Sequence, residues 1–121
     1  MNGVITQGVG GGKDYLNAEG ISREIQDKIG FKPYPGTLNV KLTRESVRKI
    51  TSIRSIENKP KVGVFPGILL AGSIGPYDCA VIRPQDPNYP RDIVEVIAPL
   101  SLRKELNLGD GDEVAIKVHN T

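Results

Sequence analysis

Residues 33–42 read PYPGTLNVKL and contain the clearest strand pattern in the chain. Leu38, Val40 and Leu42 alternate with polar residues, which predicts a strand with one buried face and one open face. The two prolines ahead of it restrict their own φ angles and keep the preceding residues extended. We therefore expect a half-buried strand that follows directly on a rigid, extended turn.

The other predicted strands are equally short, and turns rich in glycine or proline separate them. They cover residues 2–6, 61–71, 77–82, 93–98 and 113–119. Short helices are predicted before Gly30, where isoleucine recurs every fourth residue, after the capping residue Thr43, and between Leu100 and Gly109. Because six short strands do not alternate with long helices, the pattern favours a mainly β fold, a small barrel with short helices, over a doubly wound sheet.

Length and composition define the class of protein. A chain of 121 residues points to a single domain, which we expect to span residues 1–121. The 14 glycines and 9 prolines are typical of a chain that turns often. A net charge of +2 is too small to indicate nucleic-acid binding. Because the sequence shows no signal peptide and no apolar run that could span a bilayer, we expect a cytoplasmic protein that binds no membrane.

Cys79 is the only cysteine and His119 the only histidine. An intrachain disulfide and a cysteine-based zinc site are therefore excluded, and triads that depend on histidine are not expected. Cys79 lies in an apolar stretch and is interpreted as a small buried hydrophobic residue. Any catalysis by this protein is therefore expected to use side chains other than cysteine and histidine.

A glycine-rich segment at residues 8–14, GVGGGKD, is the first candidate for ligand binding. Glycines let the backbone approach a phosphate chain and turn its amides toward it, and Lys13 would add a positive charge. The segment is neither a Walker A loop nor a dinucleotide-binding fingerprint, because no Ser or Thr follows the lysine and no long helix follows at once. A phosphate-binding loop and a flexible hairpin turn remain equally good interpretations.

Thr37 and Asn39 alternate along the predicted strand, so both side chains lie on its open face. A hydroxyl oxygen and an amide oxygen side by side can hold one side of a magnesium ion whose other ligands are water and phosphate. From these residues alone, a solvated strand face is the better interpretation.

Glu95 stands between two valines in another predicted strand. A carboxylate that faces a cleft there would accept a proton from a hydroxyl group. The simpler alternative is that Glu95 is the outward-facing residue of an alternating strand.

Four basic residues are candidates for phosphate or nucleobase contact, and a solvated surface is the simpler interpretation of each. They are Arg83, Arg91, Arg103 and Lys104.

Five motifs taken together resemble the archaeal CTP-dependent riboflavin kinases. In chain order they are the glycine-rich segment, PYPGTLN at 33–39, VEVIAP at 94–99, Leu102 with Arg103, and LGDGD at 108–112. Each motif is only modestly specific, but five in this order with family-like spacing are strongly specific. The resemblance covers residues 3–118.

The resemblance implies a six-stranded cradle-loop barrel, related to the swapped-hairpin barrels. It implies transfer of the γ-phosphoryl group of CTP to the 5′-hydroxyl of riboflavin, giving FMN and CDP. Magnesium is the implied cofactor, held by Thr37 and Asn39, and we expect a monomer. The nucleotide contacts map onto two segments: Val9, Gly10, Gly11, Gly12, Lys13 and Asp14, and then Leu100, Ser101, Leu102 and Arg103.

On the flavin side, the resemblance implies a contact at Glu95, which we also predict to orient or deprotonate the attacking hydroxyl. Pro87 and Asn88 occupy the place of a family threonine that touches the flavin, and Gly11 replaces a common loop glutamate. Some relatives carry an N-terminal winged-helix DNA-binding domain that has no counterpart in this sequence.

Two other functions remain open from the sequence. One is a DNA-binding module of the swapped-hairpin type, which the turn at residues 106–112 favours and the weak net charge opposes. The other is a non-catalytic flavin- or nucleotide-binding domain. Strong, salt-dependent binding to duplex DNA would favour the first alternative, and FMN formation with CTP but not ATP would exclude both.

Overall fold

The computed structural model describes residues 1–7, 23–52, 61–62, 65–84 and 88–119. Within these ranges the strands are β1 (Asn2–Thr6), β2 (Leu38–Leu42), β3 (Lys61–Val62), β4 (Phe65–Ile74), β5 (Tyr77–Pro84), β6 (Ile93–Ile97), β7 (Glu113–Ala115) and β8 (Lys117–Val118). The helices are α1 (Arg23–Ile29), α2 (Arg44–Ser52) and α3 (Leu102–Glu105). The prediction of a mainly β protein with short helices is confirmed for this part of the chain.

The strands form one antiparallel sheet that nearly closes into a barrel. Their order is β3-β4-β5-β6-β2-β1-β7, and β8 pairs with β4. Only Ile116 separates β7 from β8, so the C-terminal strand runs along β1 and then along β4. At this point the Met1 ammonium donates a hydrogen bond to the Ile116 carbonyl (2.6 Å), and the Ile116 amide donates to the Met1 carbonyl (2.7 Å). The C-terminal strand therefore connects distant strands of the sheet.

The predicted count of six strands is wrong. With β7 and β8 counted as one interrupted strand, the described residues form seven. The difference arises at residues 61–71, which were predicted as one strand. They contain β3 and the first part of β4, and these two pair antiparallel, with Val62 opposite Phe65.

The turn between β4 and β5 is shorter than the glycine content of residues 72–76 predicts. β4 continues through Gly72 to Ile74, and only Gly75 and Pro76 turn. A Cβ atom on Gly72 would lie 2.6 Å from the carbonyl oxygen of Lys117. Gly72 therefore permits the close approach of β8 and does not mark a turn.

The barrel interior is filled by alternate residues of the strands, as the pattern of β2 predicts. Ile50 of α2 also packs into this core. Thr43 caps α2 as expected, because its hydroxyl accepts a hydrogen bond from the Ser46 amide (3.2 Å) and its carbonyl accepts one from the Val47 amide (2.9 Å). The buried side chains of the interior include Ile5, Leu38, Val40, Leu42, Leu70, Val81, Val94, Val96, Val114 and Ile116.

The outer face of the barrel has a covered half and an open half. On β4, β5 and β6 it carries a second apolar cluster, formed by Leu69, Ala80, Ile82 and Ile97 and packed against Ile29 and Phe31. All of β6 is buried because its two faces meet the interior and this cluster. On β1 and β2, exposed polar residues such as Asn2 and Lys41 occupy the outer face. The boundary between the halves runs between β6 and β2.

Candidate active site

A row of five side chains crosses the outer face from the covered half to the open half. Strand register pairs Leu69 with Ile82, Ile82 with Glu95, Glu95 with Asn39, and Asn39 with Thr6. Opposed residues of neighbouring strands project to the same face of a sheet. The row changes from apolar to polar at Glu95, so a carboxylate and an amide lie side by side at the boundary.

The Glu95 carboxylate is buried and held by two hydroxyl groups. Its side chain lies on the outer face of β6, yet the residue is only 5% exposed. Oε1 accepts a hydrogen bond from the Thr37 hydroxyl (2.8 Å), and Oε2 accepts one from the Tyr89 hydroxyl (2.8 Å). Hydrogen bonds to a charged acceptor are about twice as strong as neutral ones and offset part of the cost of burying the charge. Glu95 is therefore not the solvated member of an alternating strand.

Thr37, directly before β2, and Asn39, within β2, are half-buried and lie beside Glu95. Because the Thr37 hydroxyl gives its hydrogen to the carboxylate, the lone pairs of its oxygen are directed elsewhere and suit a cation. Within the described ranges, no group of three or more His, Cys, Asp or Glu residues could hold a metal ion. Two neutral hard oxygens fit one side of a magnesium ion that takes its other ligands from phosphate and water.

A small cavity of about 150 Å³ adjoins Thr37. The turn before β2, the end of β6 and the start of α3 form its walls. Tyr34, in that turn, lines the cavity and is about half exposed. The Tyr34 amide donates a hydrogen bond to the Ala98 carbonyl (2.7 Å), which ties two of these walls together. The four residues predicted as the second nucleotide segment all line this cavity: Leu100, Ser101, Leu102 and Arg103.

The polar residues of this segment already have partners within the chain. The Ser101 hydroxyl caps α3 by accepting a hydrogen bond from the Lys104 amide (3.4 Å). The Arg103 guanidinium forms an ion pair with Asp110 (2.9 Å). Hydrogen bonds from Arg103 and, second, from Gln7 hold the pKa of the Asp110 carboxyl below its usual value. Since Gln7 directly follows β1 and Arg103 lies in α3, Asp110 links the end of β1 to α3.

The remaining candidate residues have other surroundings or fall outside the described ranges. The Arg83 guanidinium donates to the Arg91 carbonyl (3.1 Å), and burial followed by the charge of Arg91 lowers its pKa. Lys104 and Asn88 are exposed. Six predicted nucleotide contacts and one predicted flavin contact fall outside the described residues: Val9, Gly10, Gly11, Gly12, Lys13, Asp14 and Pro87.

The interpretation of Cys79 as a buried hydrophobic residue is confirmed. Its side chain packs in the barrel interior, and burial, followed by the charge of Asp78, raises the thiol pKa to about 12. A thiol with this pKa stays protonated near neutral pH and is a poor nucleophile.

Sequence reasoning missed Tyr89 and Thr6. Tyr89 lies in a loop that the prolines mark as irregular, but it is only 6% exposed. A buried tyrosine generally needs a partner for its hydroxyl, but the burial of Tyr89 is visible only in the structure. Thr6 could be found only from the strand register, which places it opposite Asn39. Nothing in the local pattern of residues 2–6 distinguishes it.

Among the described helices, none is long and apolar enough to cross a bilayer.

Comparison with known proteins gives these observations a context. Residues 5–118 match the family model CTP-dep_RFKase, described as domain of unknown function DUF120. The chain is 39% identical to a riboflavin kinase of Methanococcoides burtonii, over 99% of this chain and 57% of that protein. It is 36% identical to a riboflavin kinase of Pyrobaculum islandicum, over 98% of this chain and 60% of that protein.

A riboflavin kinase of Ignicoccus hospitalis is 35% identical over 98% of this chain and 70% of its own length. The chain thus spans about three-fifths of the length of the first two relatives and more of the third. The family model covers nearly the whole sequence, and the resemblance inferred from the five motifs is confirmed. The chain belongs to the family of CTP-dependent riboflavin kinase domains.

Proposed function

We propose that this protein is a phosphotransferase that moves the γ-phosphoryl group of CTP to the 5′-hydroxyl of riboflavin, giving FMN and CDP. The observation that carries the proposal is Thr37, which contacts both the buried Glu95 carboxylate and the cavity lined by residues 100–103. The names of the relatives support riboflavin as the acceptor, and the name of the family model supports CTP as the donor.

Phosphoryl transfer suits the chemistry that this chain carries. The reaction depends mainly on positioning and on neutralising charge, with little covalent work for the protein. A chain with one buried cysteine and one histidine near its C-terminus can therefore still catalyse it. The hydroxyl, amide and carboxylate of Thr37, Asn39 and Glu95 supply the polar groups at the outer-face boundary.

Thr37 and Asn39 are the proposed magnesium ligands. When bound, magnesium would neutralise charge on the phosphate oxygens of the nucleotide. The ligand oxygens are held in place by β2, because Asn39 pairs with both β1 and β6 and Thr37 is bonded to Glu95. Such fixed ligands require little reorganisation when the substrates arrive.

The nucleotide is proposed to lie between the glycine-rich segment and α3. Residues 9–14 would cradle the phosphates, and residues 100–103 would contact the rest of the nucleotide at the cavity. Arg103 is half-exposed and already paired with a carboxylate, so it can transfer its hydrogen bonds to a phosphate oxygen without a large desolvation cost.

Glu95 is proposed to act on the flavin side, with Pro87 and Asn88 as additional flavin contacts. Its carboxylate would accept the proton of the riboflavin 5′-hydroxyl as the hydroxyl oxygen bonds to phosphorus and the bond to CDP breaks. The ionised carboxylate is the form that can receive this proton.

The test is to incubate the protein with riboflavin, magnesium and each nucleoside triphosphate in turn, and to measure FMN by chromatography. We expect FMN with CTP, little with ATP, and none when a chelator removes the metal. Absence of FMN with every nucleotide would contradict the proposal. A Glu113→Gln variant is a suitable control for site variants, since Glu113 is exposed on β7, away from the cavity.

A further inference from the structure

Tyr89 has no part in the reaction described above, yet its hydroxyl donates a hydrogen bond to the Glu95 carboxylate. It lies in the loop between β5 and β6, six residues before Glu95, and is almost fully buried. Its hydroxyl donates to Glu95 Oε2 at 2.8 Å, while the Thr37 hydroxyl donates to Oε1 at the same distance. The two donors therefore hold opposite oxygens of one carboxylate.

Two such bonds restrict the rotation that glutamate otherwise has. The last torsion of a glutamate side chain has a broad preference, so rotamer energetics alone do not set the plane of its carboxylate. A donor on each oxygen sets that plane. The direction in which the Thr37 hydrogen points, and hence the direction of the remaining Thr37 lone pairs, then depends on Glu95.

The backbone around Tyr89 is hydrogen-bonded to two strands, β6 and β2. The Ile93 amide, at the start of β6, donates to the Pro90 carbonyl (3.3 Å). The Leu42 amide, at the end of β2, donates to the Asp92 carbonyl (2.7 Å). Because this loop is attached to β2 and β6, the strands that carry Asn39 and Glu95, the phenol has a defined position relative to both residues.

We infer that Tyr89 is a positioning residue, which fixes the Glu95 carboxylate so that Thr37 presents its lone pairs to the cation and Glu95 meets the attacking hydroxyl. The inference rests on the proposed function and extends it to a residue outside the substrate contacts. Groups that orient metal ligands in this way commonly contribute 10- to 100-fold to metal affinity or activity.

The decisive variant is Tyr89→Phe, which removes the hydroxyl and keeps the ring. We expect kcat, measured at saturating CTP and magnesium, to fall roughly 10- to 100-fold. A second readout needs no turnover: calorimetry of CDP binding with and without magnesium should show that the metal strengthens CDP binding less in the variant than in the wild type. Tyr77→Phe is the control, because Tyr77 lies at the start of β5 and packs against the barrel interior.

A double variant separates positioning from general loosening. If Tyr89 acts through Glu95, Tyr89→Phe should change kcat by less than about twofold in a Glu95→Gln background. A full effect of Tyr89→Phe in that background would overturn the inference, because Tyr89 would then act independently of Glu95. Circular dichroism and thermal unfolding of each variant show whether a loss of kcat results from unfolding of the protein.

The outcomes distinguish this inference from the proposed function. A wild-type protein that makes no FMN contradicts the proposed function, and CDP binding with magnesium then still tests Tyr89. A wild-type protein that makes FMN, together with a Tyr89→Phe variant that matches it in both kcat and metal-dependent CDP binding, overturns the inference alone.

Discussion

The Glu95 cluster, formed by Glu95, Thr37 and Tyr89, and the Arg103–Asp110 pair are two polar groups near the same cavity, but they are built differently. Glu95 is 5% exposed, and its bond to Thr37 joins residues 58 positions apart. The side chains of Arg103 and Asp110 are 41% and 46% exposed and only seven positions apart. The buried cluster can hold one geometry, whereas the exposed pair can exchange partners when an anion arrives.

This contrast suits the proposed phosphoryl transfer, which has two requirements. The attacking hydroxyl and the metal ligands need fixed positions, which burial and hydrogen bonds from separate strands supply. In the proposed reaction the nucleotide must enter and leave, and a solvated arginine with a local partner would allow that at low cost. Variants on the two sides should therefore differ in whether they change kcat or KM.

The largest effect is expected for Asn39→Ala. The substitution removes one of the two proposed ligand oxygens from the outer face of β2, and we expect metal-dependent turnover to be abolished. A magnesium titration of FMN formation measures this, with Asn2→Ala on the exposed outer face of β1 as the matched control. Turnover at the wild-type level in Asn39→Ala would reject the ligand assignment.

Glu95→Gln should lower kcat by roughly 10²- to 10⁴-fold, the range of general acid–base contributions, and change flavin affinity far less. Glutamine keeps the size of the side chain but cannot accept the proton. Steady-state kinetics and flavin fluorescence titration separate the two quantities, and Glu113→Gln is the control. An effect confined to KM would make Glu95 a binding residue.

Arg103→Ala should raise the KM for CTP roughly tenfold and leave kcat within about threefold, because a lost hydrogen bond to a charged group weakens binding. Kinetics at varied CTP concentration test this. Arg48→Ala, an exposed position on α2, is the control. If Arg103→Ala leaves the KM unchanged, Arg103 belongs only to its surface ion pair.

The smallest effect is expected for Asp110→Asn. The pKa of Asp110 is lowered in the folded protein from a usual value of 3.8, so its pairing contributes stability above that pH and loses it as the pH falls below. Thermal unfolding between pH 3 and pH 7 should show a slightly weaker acid dependence in the variant, and added salt should reduce the difference. Identical pH profiles would show that the pairing contributes no stability.

Much of the secondary structure could be predicted because it depends on local patterns. Alternation along residues 38–42 depends only on the two-residue period of a strand, and Thr43 caps α2 through groups three and four residues away. The division of residues 61–71 into two strands could not be predicted, because it depends on which residues pair. Gly72 was misread for the same reason, since its neighbour is β8.

The candidate site shows the same division. Thr37, Asn39 and Glu95 could be selected from residue type and family motif, but their side-by-side arrangement depends on the register of β1, β2 and β6. Tyr89 could not be selected, because no motif includes it and its partner is identified only by the path of the loop.

The amino-acid sequence is sufficient to predict strand β2, the Thr43 cap of α2, the buried thiol of Cys79 and the family. Each of these depends on neighbouring residues or on motifs that can be recognised without coordinates. Pairing of the C-terminal strand with both β1 and β4, and the environment of Glu95, arise from contacts between residues far apart in the chain. Local propensity carries no information about such pairs, since a carboxylate in an alternating strand is equally compatible with water and with two hydroxyl donors. Only the packing of the outer face in the folded protein decides whether Glu95 meets water or the hydroxyl groups of Thr37 and Tyr89.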